Sequence, residues 1–577
     1  MMRQIKLDDE QKDAVYSDEN SSILVLAPPG SGKTLVMAKR IEYLISSGEI
    51  KNPFKILGLT FSNAAADEMK NRVTKEVPLA KDLVHITNFH SFAYSILKAY
   101  GNCVDLKRDF FVIGEIQSDE LIKEVLGISD YFGLHKRDPR IKKAENCFYR
   151  YKKWKTERIL KMNENYEDLY SNELFETGLV SFRNKLMSQN LLDFDHILYY
   201  TFKLLKSNNS VLNYYRSVFK YILVDEFQDT NPLQFAILKI MANGNNISKY
   251  KNSPVFILAD PNQGIFEFQG AEPENVILAK DKFNCEEIKL KKDHRFKPEG
   301  KGIKILANAI SNFIDEGTDK DLDISDYSPY YSVFPNKRAE ADFITNKIKN
   351  LEENNEKLHE IAILAPQRAD FEEIKGKLGK DKFVFVPDFR GPEIEKKYQP
   401  LFKSLREVPI EKKGKLSSLI ENICKSNGID ANDEIIKILL NESKKYDAKR
   451  FLSKTLFEKV QHFTNETLLE VDWGKILKKQ VKNKIFLSTI HSAKGLEFET
   501  VFVCGLQEGS LPNYSTCKTC HGTSDGLKQV KNLKLLNVGV SRGKKCLYLS
   551  SSQKNGWYYH KHSSCVLNPF YKYLNQI

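Results

Sequence analysis

The sequence predicts an α/β protein with two parallel β-sheets, each interrupted by a mainly helical insertion. Short apolar runs that are typical of strands alternate with helical segments through the first hundred residues. The same alternation returns near residue 221 and again after residue 485, and two Lys- and Glu-rich stretches with helical periodicity separate these parts. Strands that alternate with helices form parallel sheets that are covered by helices on both faces.

The individual elements follow from these apolar runs. The predicted strands are 23–26, 55–60, 221–224, 255–258, 361–364, 485–487, 501–504 and 547–549, and the segment 64–73 is predicted to be a helix. We expect the first sheet in residues 1–97 and 191–280 with a helical insertion at 98–190, and the second sheet in 281–375 and 483–577 with a shorter insertion at 376–482. With 577 residues, the chain has room for three to four domains of about 150 residues each.

The composition favours a negatively charged partner. Lys and Arg outnumber Asp and Glu by 88 to 76, which gives a net charge of +12 at pH 7. This balance favours nucleic acid, although a well-solvated Lys-rich surface would give the same number. No apolar run approaches the roughly 18 residues that a membrane-spanning helix needs, the N-terminus turns charged at once, and the nine cysteines follow no even framework. We therefore expect a cytoplasmic protein with free thiols and no membrane partner.

A phosphate-binding loop follows the first predicted strand. Its glycines allow backbone N–H groups to cradle phosphate oxygens, at the start of a helix whose positive end faces the same anion. Lys33 can reach the β- and γ-phosphates of a nucleotide, and Thr34 can hold Mg²⁺. Ala27 stands where the strict pattern has Gly, and a chance Gly/Ser turn is the alternative. The candidate nucleotide-binding residues of the loop are Ala27, Pro28, Pro29, Gly30, Ser31, Gly32, Lys33 and Thr34.

Two adjacent carboxylates end another predicted strand. Asp225 would bind the Mg²⁺ that Thr34 holds, and Glu226 would polarise the attacking water. Gln263 follows a third strand, where a carboxamide could bridge the γ-phosphate and the rest of the protein. An Asp-Glu pair at a strand end is by itself most often only solvated. Beside a phosphate-binding loop, the pair indicates hydrolysis of a nucleoside triphosphate.

Two arginines are candidates for stabilising the charge that develops on a transferred phosphoryl group. Arg295 ends the run Lys-Asp-His-Arg, and Arg542 ends the run Val-Gly-Val-Ser-Arg. An arginine at the γ-phosphate stabilises the transition state and reports whether that phosphate is present. For either arginine alone, a surface salt bridge is the ordinary alternative.

Taken together, the motifs resemble those of superfamily 1 helicases of the UvrD/Rep/PcrA type. They occur in the family's order and cover nearly the whole chain, at 7–15 with Gln11, 27–34, 60–65, 87–92, 192–195, 224–230, 259–271, 292–295, 489–498 and 538–542. The resemblance implies two RecA-like motor domains with ATP and Mg²⁺ between them. It implies an ATP-dependent DNA helicase that moves 3′ to 5′ on single-stranded DNA and separates duplex DNA, in repair or in antiphage defence.

The resemblance also implies roles residue by residue. Gln11 would read the adenine, and Arg40 would line the adenine pocket. His294 would stack on the base where the family commonly has a Tyr, and Glu497 would contact the ribose. The residues implied to touch DNA are Thr60, Phe61, Asn63, His90, Phe266, Phe268 and His491. Aromatic faces that stack on bases tolerate any base sequence, as a translocating motor requires.

The implied mechanism couples ATP to closure of the cleft between the sheets. Arg295 and Arg542 are expected on the second sheet, opposite Lys33 and Glu226 on the first. ATP would therefore draw the sheets together, and hydrolysis would release them. Each cycle would move the DNA strand by one base.

The chain departs from the family pattern in two ways that bear on function. Gln269 stands where the family usually has an Arg that faces DNA, and the second insertion is considerably shorter than the family's mobile accessory domain. Short helicases of this build resemble the helicase subunit of the Gabija antiphage system. The run 271–275 and the predicted strand 383–386 share that resemblance.

Alternatives to a DNA helicase stay open. The chain could be a nucleic-acid sensor whose ATP state switches a partner effector such as a nuclease, and the short second insertion favours this modestly. It could also be an RNA motor, because no residue visibly tests for a 2′-hydroxyl. A zinc site is an alternative to free thiols near the C-terminus. Its residues would be Cys517, Cys520, His560, His562 and Cys565.

Overall fold

The computed structural model has the expected α/β architecture with two parallel sheets. The residues that it describes are 7–60, 63–107, 110–130, 139–161, 173–243, 253–267, 270–296, 298–317, 328–379, 382–385, 398–406, 408, 412–448, 455–463, 476–478, 481–507, 509–512, 526–555, 558–559 and 566–576. Within these ranges, no helix combines the length and the apolar character that crossing a bilayer demands.

Six parallel strands form the first sheet. They are β1 (Ile23–Leu26), β2 (Lys55–Thr60), β3 (Val84–Asn88), β4 (Phe219–Val224), β5 (Val255–Ala259) and β6 (Glu286–Lys289), in the spatial order β3-β2-β4-β5-β1-β6. β6 pairs with β1, with Glu286 opposite Ile23. The expected boundary of the first sheet at residue 280 is therefore wrong, because the sheet extends to Lys289. The sequence of β6 is Glu-Glu-Ile-Lys, a polar edge strand without the apolar run by which β1, β2, β4 and β5 were predicted.

The central strands of this sheet supply two cores, one on each face. Ile222 and Val224 of β4 lie in the core on one face, and Tyr221 and Leu223 lie in the core on the other. A strand that is buried on both faces is a continuous apolar run, not an alternating one. This explains why the strands 23–26, 55–60, 221–224 and 255–258 could be predicted from the sequence.

Twelve helices lie in the described part of the first half of the chain. In chain order they are α1 (Asp9–Val15), α2 (Lys33–Ser46), α3 (Asn63–Glu76), α4 (Ala80–Leu83), α5 (Phe89–Tyr100), α6 (Glu115–Val125), α7 (Pro139–Leu160), α8 (Glu173–Ser188), α9 (Phe194–Ser207), α10 (Asn209–Val218), α11 (Pro232–Ala242) and α12 (Asn275–Lys282). Asp8 caps α1 and Asn231 caps α11, each in a capping box with a Gln three residues later.

Helices α6, α7 and α8 form the first insertion, and a buried ion-pair network attaches it to the first sheet. Lys155 of α7 donates to Asp193 (2.6 Å) and Asp195 (3.1 Å) at the start of α9. Burial lowers the pKa of Lys155, but the two carboxylates outweigh it and raise this pKa on balance. Asp193 also binds the ring of buried His196 at 2.6 Å. Because a buried charge that loses its partner is costly, this network fixes the insertion in place.

Seven parallel strands form the second sheet. They are β7 (Tyr330–Phe334), β8 (Ile361–Ala365), β9 (Phe383–Phe385), β10 (Ile485–Thr489), β11 (Phe498–Val503), β12 (Gly543–Ser552) and β13 (Asn575–Gln576), in the order β9-β10-β8-β11-β12-β7-β13. β9 pairs with β10, with Phe383 opposite Ile485. The expected start of the second insertion at residue 376 is therefore wrong, since the second sheet continues to Phe385. Two small strand pairs lie elsewhere, at 111–112 with 191–192 and at 554–555 with 558–559.

The second half of the chain contains the remaining described long helices. They are α13 (Lys301–Glu316), α14 (Lys337–Glu353), α15 (Glu372–Leu378), α16 (Gln399–Arg406), α17 (Leu416–Ser426), α18 (Glu434–Tyr446), α19 (Leu456–Phe463) and α20 (Gly526–Val540). Helices α16–α19 belong to the second insertion. Leu439 and Phe463 share one continuous core with Phe486 of β10, so this insertion packs directly onto the second sheet.

Candidate nucleotide site in the cleft between the sheets

The phosphate-binding loop has the backbone that its glycines predict. Gly30 and Gly32 have φ values of +84° and +86°, a region that residues with a Cβ rarely adopt, and α2 begins directly afterwards at Lys33. A Cβ on Gly32 would lie 2.7 Å from Gln11 Nε2. The loop can therefore lie this close to α1 only with Gly at position 32, and it presents the positive end of α2 as a phosphate requires.

Lys33 lies between the loop and two carboxylates of the first sheet. Its ammonium donates to the carbonyl of Ala27 (3.0 Å) and lies 3.8 Å from Glu226 and 3.9 Å from Asp260. These carboxylates follow the neighbouring strands β4 and β5 at the carboxyl edge of the sheet, where open α/β sheets bind ligands. The lysine is thus held by weak contacts at the position from which it can reach a bound phosphate.

Glu226 is held in an ionised form and in an unusual backbone conformation. Its φ of +51° lies in the left-handed region, which is strained for a residue other than Gly and is frequent at functional sites. Gln228 donates a hydrogen bond to its carboxylate. Desolvation raises the pKa of Glu226, but the charges of Lys33 and Lys494 outweigh desolvation and lower this pKa to about 2. An ionised and oriented carboxylate can accept a proton from water.

Two buried glutamines connect the carboxylates around the site. The side-chain oxygen of Gln228 accepts the N–H of Asp260 at 2.8 Å, and the amide of Gln263 donates to the Asp260 carboxylate at 3.0 Å. Burial raises the pKa of Asp260, while Lys33 opposes this. The sequence analysis identified Gln263 but missed Asp260 and Gln228. Both lie inside motif runs that were recognised, and their place in those runs was the available signal.

Arg542 crosses the cleft from the second sheet to the first. Its side chain is 2% exposed, and it donates to the carbonyls of Val538 (3.0 Å) and Leu496 (3.2 Å) and to Gln263 Oε1 (3.3 Å). Burial and the neighbouring charge of Arg295 lower the pKa of Arg542 to about 10, so it is cationic at neutral pH. Gln263 also donates to Asp260, so these two side chains connect the guanidinium to within 3.9 Å of the Lys33 ammonium.

Lys494 makes a second contact across the cleft, which the sequence analysis missed. Its ammonium binds the carboxylate of Asp229 at 2.5 Å and the carbonyl of Gln263 at 2.6 Å, and it lies 5.2 Å from the ring centre of Phe266. Burial raises the pKa of Asp229 to about 6, although Lys494 opposes this. Lys494 lies in the recognised run 489–498, which offered the only signal for its role.

Arg295 contacts the second sheet but follows a strand of the first. It lies in the linker (residues 290–296) between β6 and α13, so the expectation that it comes from the second sheet is wrong. Its guanidinium donates to the carbonyl of Ser541 and pairs with Glu497, each at 2.7 Å. Glu497, which was expected at the ribose, also pairs with Lys544 at 3.0 Å. Burial raises the pKa of Glu497, but Arg295 and Lys544 outweigh it and lower this pKa.

Gln11 and His294, the residues expected at the base, lie near each other beside the phosphate-binding loop. Gln11 is 2% exposed, and its amide donates to the carbonyl of Ser31 at 2.9 Å. The backbone N–H of His294 donates to the carbonyl of Gly30 at 2.8 Å, and its ring nitrogen Nε2 lies 2.7 Å from Asp8. Both residues expected at the base are therefore held against the phosphate-binding loop.

Arg40 is held at the end of α1 opposite to Gln11, which differs from the arrangement that the sequence analysis expected. Its buried guanidinium donates to the carbonyls of Val15 (2.9 Å), Ser17 (2.6 Å) and Asp18 (3.1 Å), at and beyond the C-terminal end of α1. α1 has seven residues and is about 10 Å long, with Gln11 in its first turn. Arg40 therefore satisfies carbonyl groups at the end of α1 that points away from Gln11.

Three of the residues implied to touch DNA line one pocket together with two adjacent carboxylates. Thr60, His90 and Phe266 line this pocket together with Asp225 and Glu226. The ring of His90 packs edge-on against the ring of Phe194 at a centroid distance of 5.3 Å. The carboxylates and the expected DNA contacts thus share one cavity of the first sheet.

The other implied DNA contacts are less fully described. His491 is half-buried in the turn after β10, and its carbonyl accepts the N–H of Lys494 at 3.2 Å. Phe61 and Phe268 lie outside the described residues. Asn63 begins α3, but its side chain is also outside the description.

Thr34 and Asp225 are the residues expected to hold Mg²⁺. Thr34 lies in the first turn of α2, and Asp225 directly follows β4. Both offer the oxygen ligands that Mg²⁺ prefers, and Mg²⁺ at phosphate sites uses one or two protein groups together with substrate oxygens and water. In the described ranges, no three His, Cys, Asp or Glu side chains form a metal-binding group. The candidate zinc residues Cys517, Cys520, His560, His562 and Cys565 fall outside those ranges.

Comparison with known proteins gives the same two-part organisation. The UvrD/REP helicase N-terminal domain model matches residues 7–284, and the UvrD-like helicase C-terminal domain model matches residues 392–554. The ATP-dependent DNA helicase PcrA of Staphylococcus epidermidis is 26% identical over 95% of this chain and 83% of the relative. The ATP-dependent DNA helicase PcrA of Staphylococcus aureus is 26% identical over 94% of this chain and 82% of the relative.

Proposed function

We propose that this chain moves 3′ to 5′ along single-stranded DNA and separates duplex DNA as it moves. The chain belongs to the UvrD/Rep family of superfamily 1A helicases and is an ATP-dependent DNA helicase. The observation that carries the proposal is the contact of Arg542, from the second sheet, with Gln263 of the first sheet at 3.3 Å. A nucleotide bound at Lys33 would lie beside a junction between the two sheets, so its hydrolysis can change how they meet.

Residues of both sheets and of the linker between them supply the groups that hydrolysis needs. The loop at 27–34 binds the phosphates, and Lys33 moves from its carbonyl and carboxylate contacts to the β- and γ-phosphates. Glu226 polarises the attacking water and accepts its proton. Arg542 and Arg295 stabilise the negative charge that develops on the γ-phosphoryl group. Thr34 and Asp225 would hold Mg²⁺, which would supply positive charge beside the phosphate oxygens.

Movement follows from a change in the contacts between the sheets. With ATP bound, Arg542 and Lys494 exchange contacts with Gln263 and Asp229 for contacts with the γ-phosphate. After hydrolysis these contacts return, and the distance between the two DNA-binding faces changes. Because Phe266 lies beneath the Lys494 ammonium, the stacking surface for bases responds to the same event.

The biological setting that we propose is repair or antiphage defence, with single-stranded and duplex DNA as partners. The net charge of +12 favours a polyanion. The second candidate function is a sensor whose ATP state switches a nuclease or other effector. It is favoured by the compact second insertion, whose helices α17 and α18 pack onto the second sheet in one continuous core.

One pair of assays tests the proposal. ATP hydrolysis and strand displacement are measured on the same duplex carrying a 3′ tail, a 5′ tail or no tail. We expect DNA-stimulated hydrolysis and displacement with the 3′ tail only. Displacement from the 5′ tail contradicts the direction, and stimulation without displacement supports the sensor. Stimulation by RNA alone would identify an RNA motor.

A further inference from the structure

The linker that joins the two sheets is fixed to the first helix and to the phosphate-binding loop. The backbone N–H of Lys291 donates to Glu10 of α1 at 2.6 Å. Three residues later, the N–H of His294 donates to the carbonyl of Gly30 at 2.8 Å. The backbone of the linker is thus held at two points, and the ring of His294 is directed toward the N-terminal end of α1.

Asp8 holds both base-end residues through one side chain. One carboxylate oxygen accepts the N–H of Gln11 at 2.8 Å and caps α1, while the N–H of Asp8 donates to the Gln11 side chain at 3.1 Å. The other carboxylate oxygen lies 2.7 Å from His294 Nε2. The Asp8 side chain is only 14% exposed, against 37% for His294, so the fixed partner is the carboxylate.

We propose that Asp8 is a positioning residue for recognition of the purine base of ATP, acting through the ring of His294. A carboxylate that accepts the Nε2–H fixes both the orientation and the tautomer of an imidazole ring. The ring face is then held in place before the base arrives, and less conformational freedom is lost on binding. This inference rests on the proposed function, because it takes ATP as the ligand of the site.

The tyrosine that the family commonly has at this position needs no such carboxylate. An imidazole is smaller than the phenol ring of a tyrosine and shares less area with a base, so its stacking depends more on a fixed orientation. Asp8 therefore compensates for the presence of His at position 294. We therefore expect substitutions at positions 8 and 294 to have non-additive effects on ATP binding.

The test uses the full-length protein and the substitution Asp8→Asn. Asn caps helices as well as Asp does, so α1 is retained. Its second side-chain group is an uncharged N–H donor, which cannot accept the Nε2–H and can pair only with the other tautomer of the ring. We expect KM for ATP and the Kd for a fluorescent ATP analogue without DNA to rise about tenfold, with kcat within about twofold of the wild type. That ratio corresponds to about 1.4 kcal/mol of binding free energy.

Two further variants separate positioning from general electrostatics. Asp9→Asn removes the same charge from the same helix end at a residue whose side chain is 94% exposed and pairs with Lys12. It should leave KM unchanged. In the His294→Tyr protein, which carries the family's ring, adding Asp8→Asn should change KM by less than about twofold, because a tyrosine does not depend on the carboxylate.

Each outcome supports or contradicts the proposal that Asp8 positions the ring of His294. An equal rise in KM for Asp8→Asn in the wild-type and His294→Tyr proteins overturns the proposal, and so does an equal rise for Asp9→Asn. The tautomer of His294 in nucleotide-free protein gives a readout that is independent of helicase activity. It is measured from ¹⁵N-histidine signals assigned with His294→Gln, and it should change in Asp8→Asn. If wild-type protein binds no ATP, the proposed function fails, while the tautomer still reports whether Asp8 holds the ring.

Discussion

The two ends of the nucleotide cleft are built differently. At the phosphate end, residues of both sheets meet, with Lys494 bound to Asp229 and Arg542 bound to Gln263. At the base end, the contacts lie within the first sheet unit and the linker that leaves it, as in the pair of Asp8 and His294. A relative movement of the sheets therefore changes the phosphate end and leaves the base end intact.

The difference assigns distinct tasks to the two ends. Substitutions at the phosphate end should change turnover, because the groups there interact most strongly with the transition state. Substitutions at the base end should change KM or stability, since its groups contact parts of ATP that do not react. The following predictions test this division, in order of decreasing effect.

Arg542→Lys should give the largest effect. A lysine keeps the charge but cannot make the forked contacts to Leu496 and Gln263, so the cross-cleft charge is misplaced. We expect kcat for DNA-stimulated ATP hydrolysis to fall about 10³-fold, with ATP still bound. Thermal unfolding checks that the protein is folded, because Arg542 is buried. A kcat within about threefold of the wild type would show that the phosphate end does not need the second sheet.

Glu226→Gln should stop turnover and leave ATP binding intact. Gln has nearly the same shape but cannot accept the proton of the attacking water, and we expect kcat to fall by about 10² to 10⁴. The measurement is single-turnover hydrolysis beside a nucleotide-binding titration. Glu287→Gln on β6, a carboxylate that pairs with Lys280 on the surface, is the matched control and should be neutral. Normal hydrolysis by the Glu226 variant would remove Glu226 from the catalytic role.

Arg40→Met should reduce stability without changing KM for ATP. The substitution leaves the carbonyls of Val15, Ser17 and Asp18 without their charged donor, and we expect the loss to be about 2–4 kcal/mol. Thermal and urea unfolding measure the loss, and steady-state kinetics measures KM. Lys39→Met, at the neighbouring position of α2, is the control. A tenfold rise in KM with unchanged stability would return Arg40 to the adenine pocket.

Asp229→Asn should give the smallest effect, visible as a change with pH. Burial raises the pKa of Asp229 to about 6, so the folded state binds this proton more tightly than the unfolded chain does. The contribution of Asp229 to stability is therefore complete below about pH 4 and decreases as pH rises through about 6. An asparagine does not titrate in this range. Between pH 4 and pH 7, the free energy of unfolding of the variant should therefore rise by about 1–3 kcal/mol relative to that of the wild type.

Urea unfolding at four pH values measures this change, and Asp9→Asn serves as the control. The contrary result is a loss of stability of the Asp229 variant, relative to the wild type, as pH rises. It would show that the attraction between Lys494 and Asp229 outweighs the cost of burying the carboxylate. The ion pair across the cleft would then hold the two sheets together at neutral pH.

Much of the fold could be predicted because the central strands are buried on both faces. Runs such as Ile23–Leu26 and Ile361–Ala365 are apolar throughout, and the proline-containing turns after them mark the edge of the sheet. The strands that were missed are β3, β6, β7 and β13, which contain polar or exposed residues and so carry a weaker signal. β6 is polar because it lies at the edge of the sheet, and β13 has only two residues, both exposed.

The sequence by itself determined the chemistry of the site. Residue types and spacing within single runs identified Lys33, Glu226, Gln263 and Arg542, because each belongs to a local strand–loop unit that forms its geometry from adjacent residues. Only the tertiary structure decided how distant residues pair. It alone placed Arg40 at the end of α1, Lys494 on Asp229 and Asp8 on His294. Such contacts join residues tens to hundreds of positions apart, and their strength depends on burial and distance, which no local pattern contains.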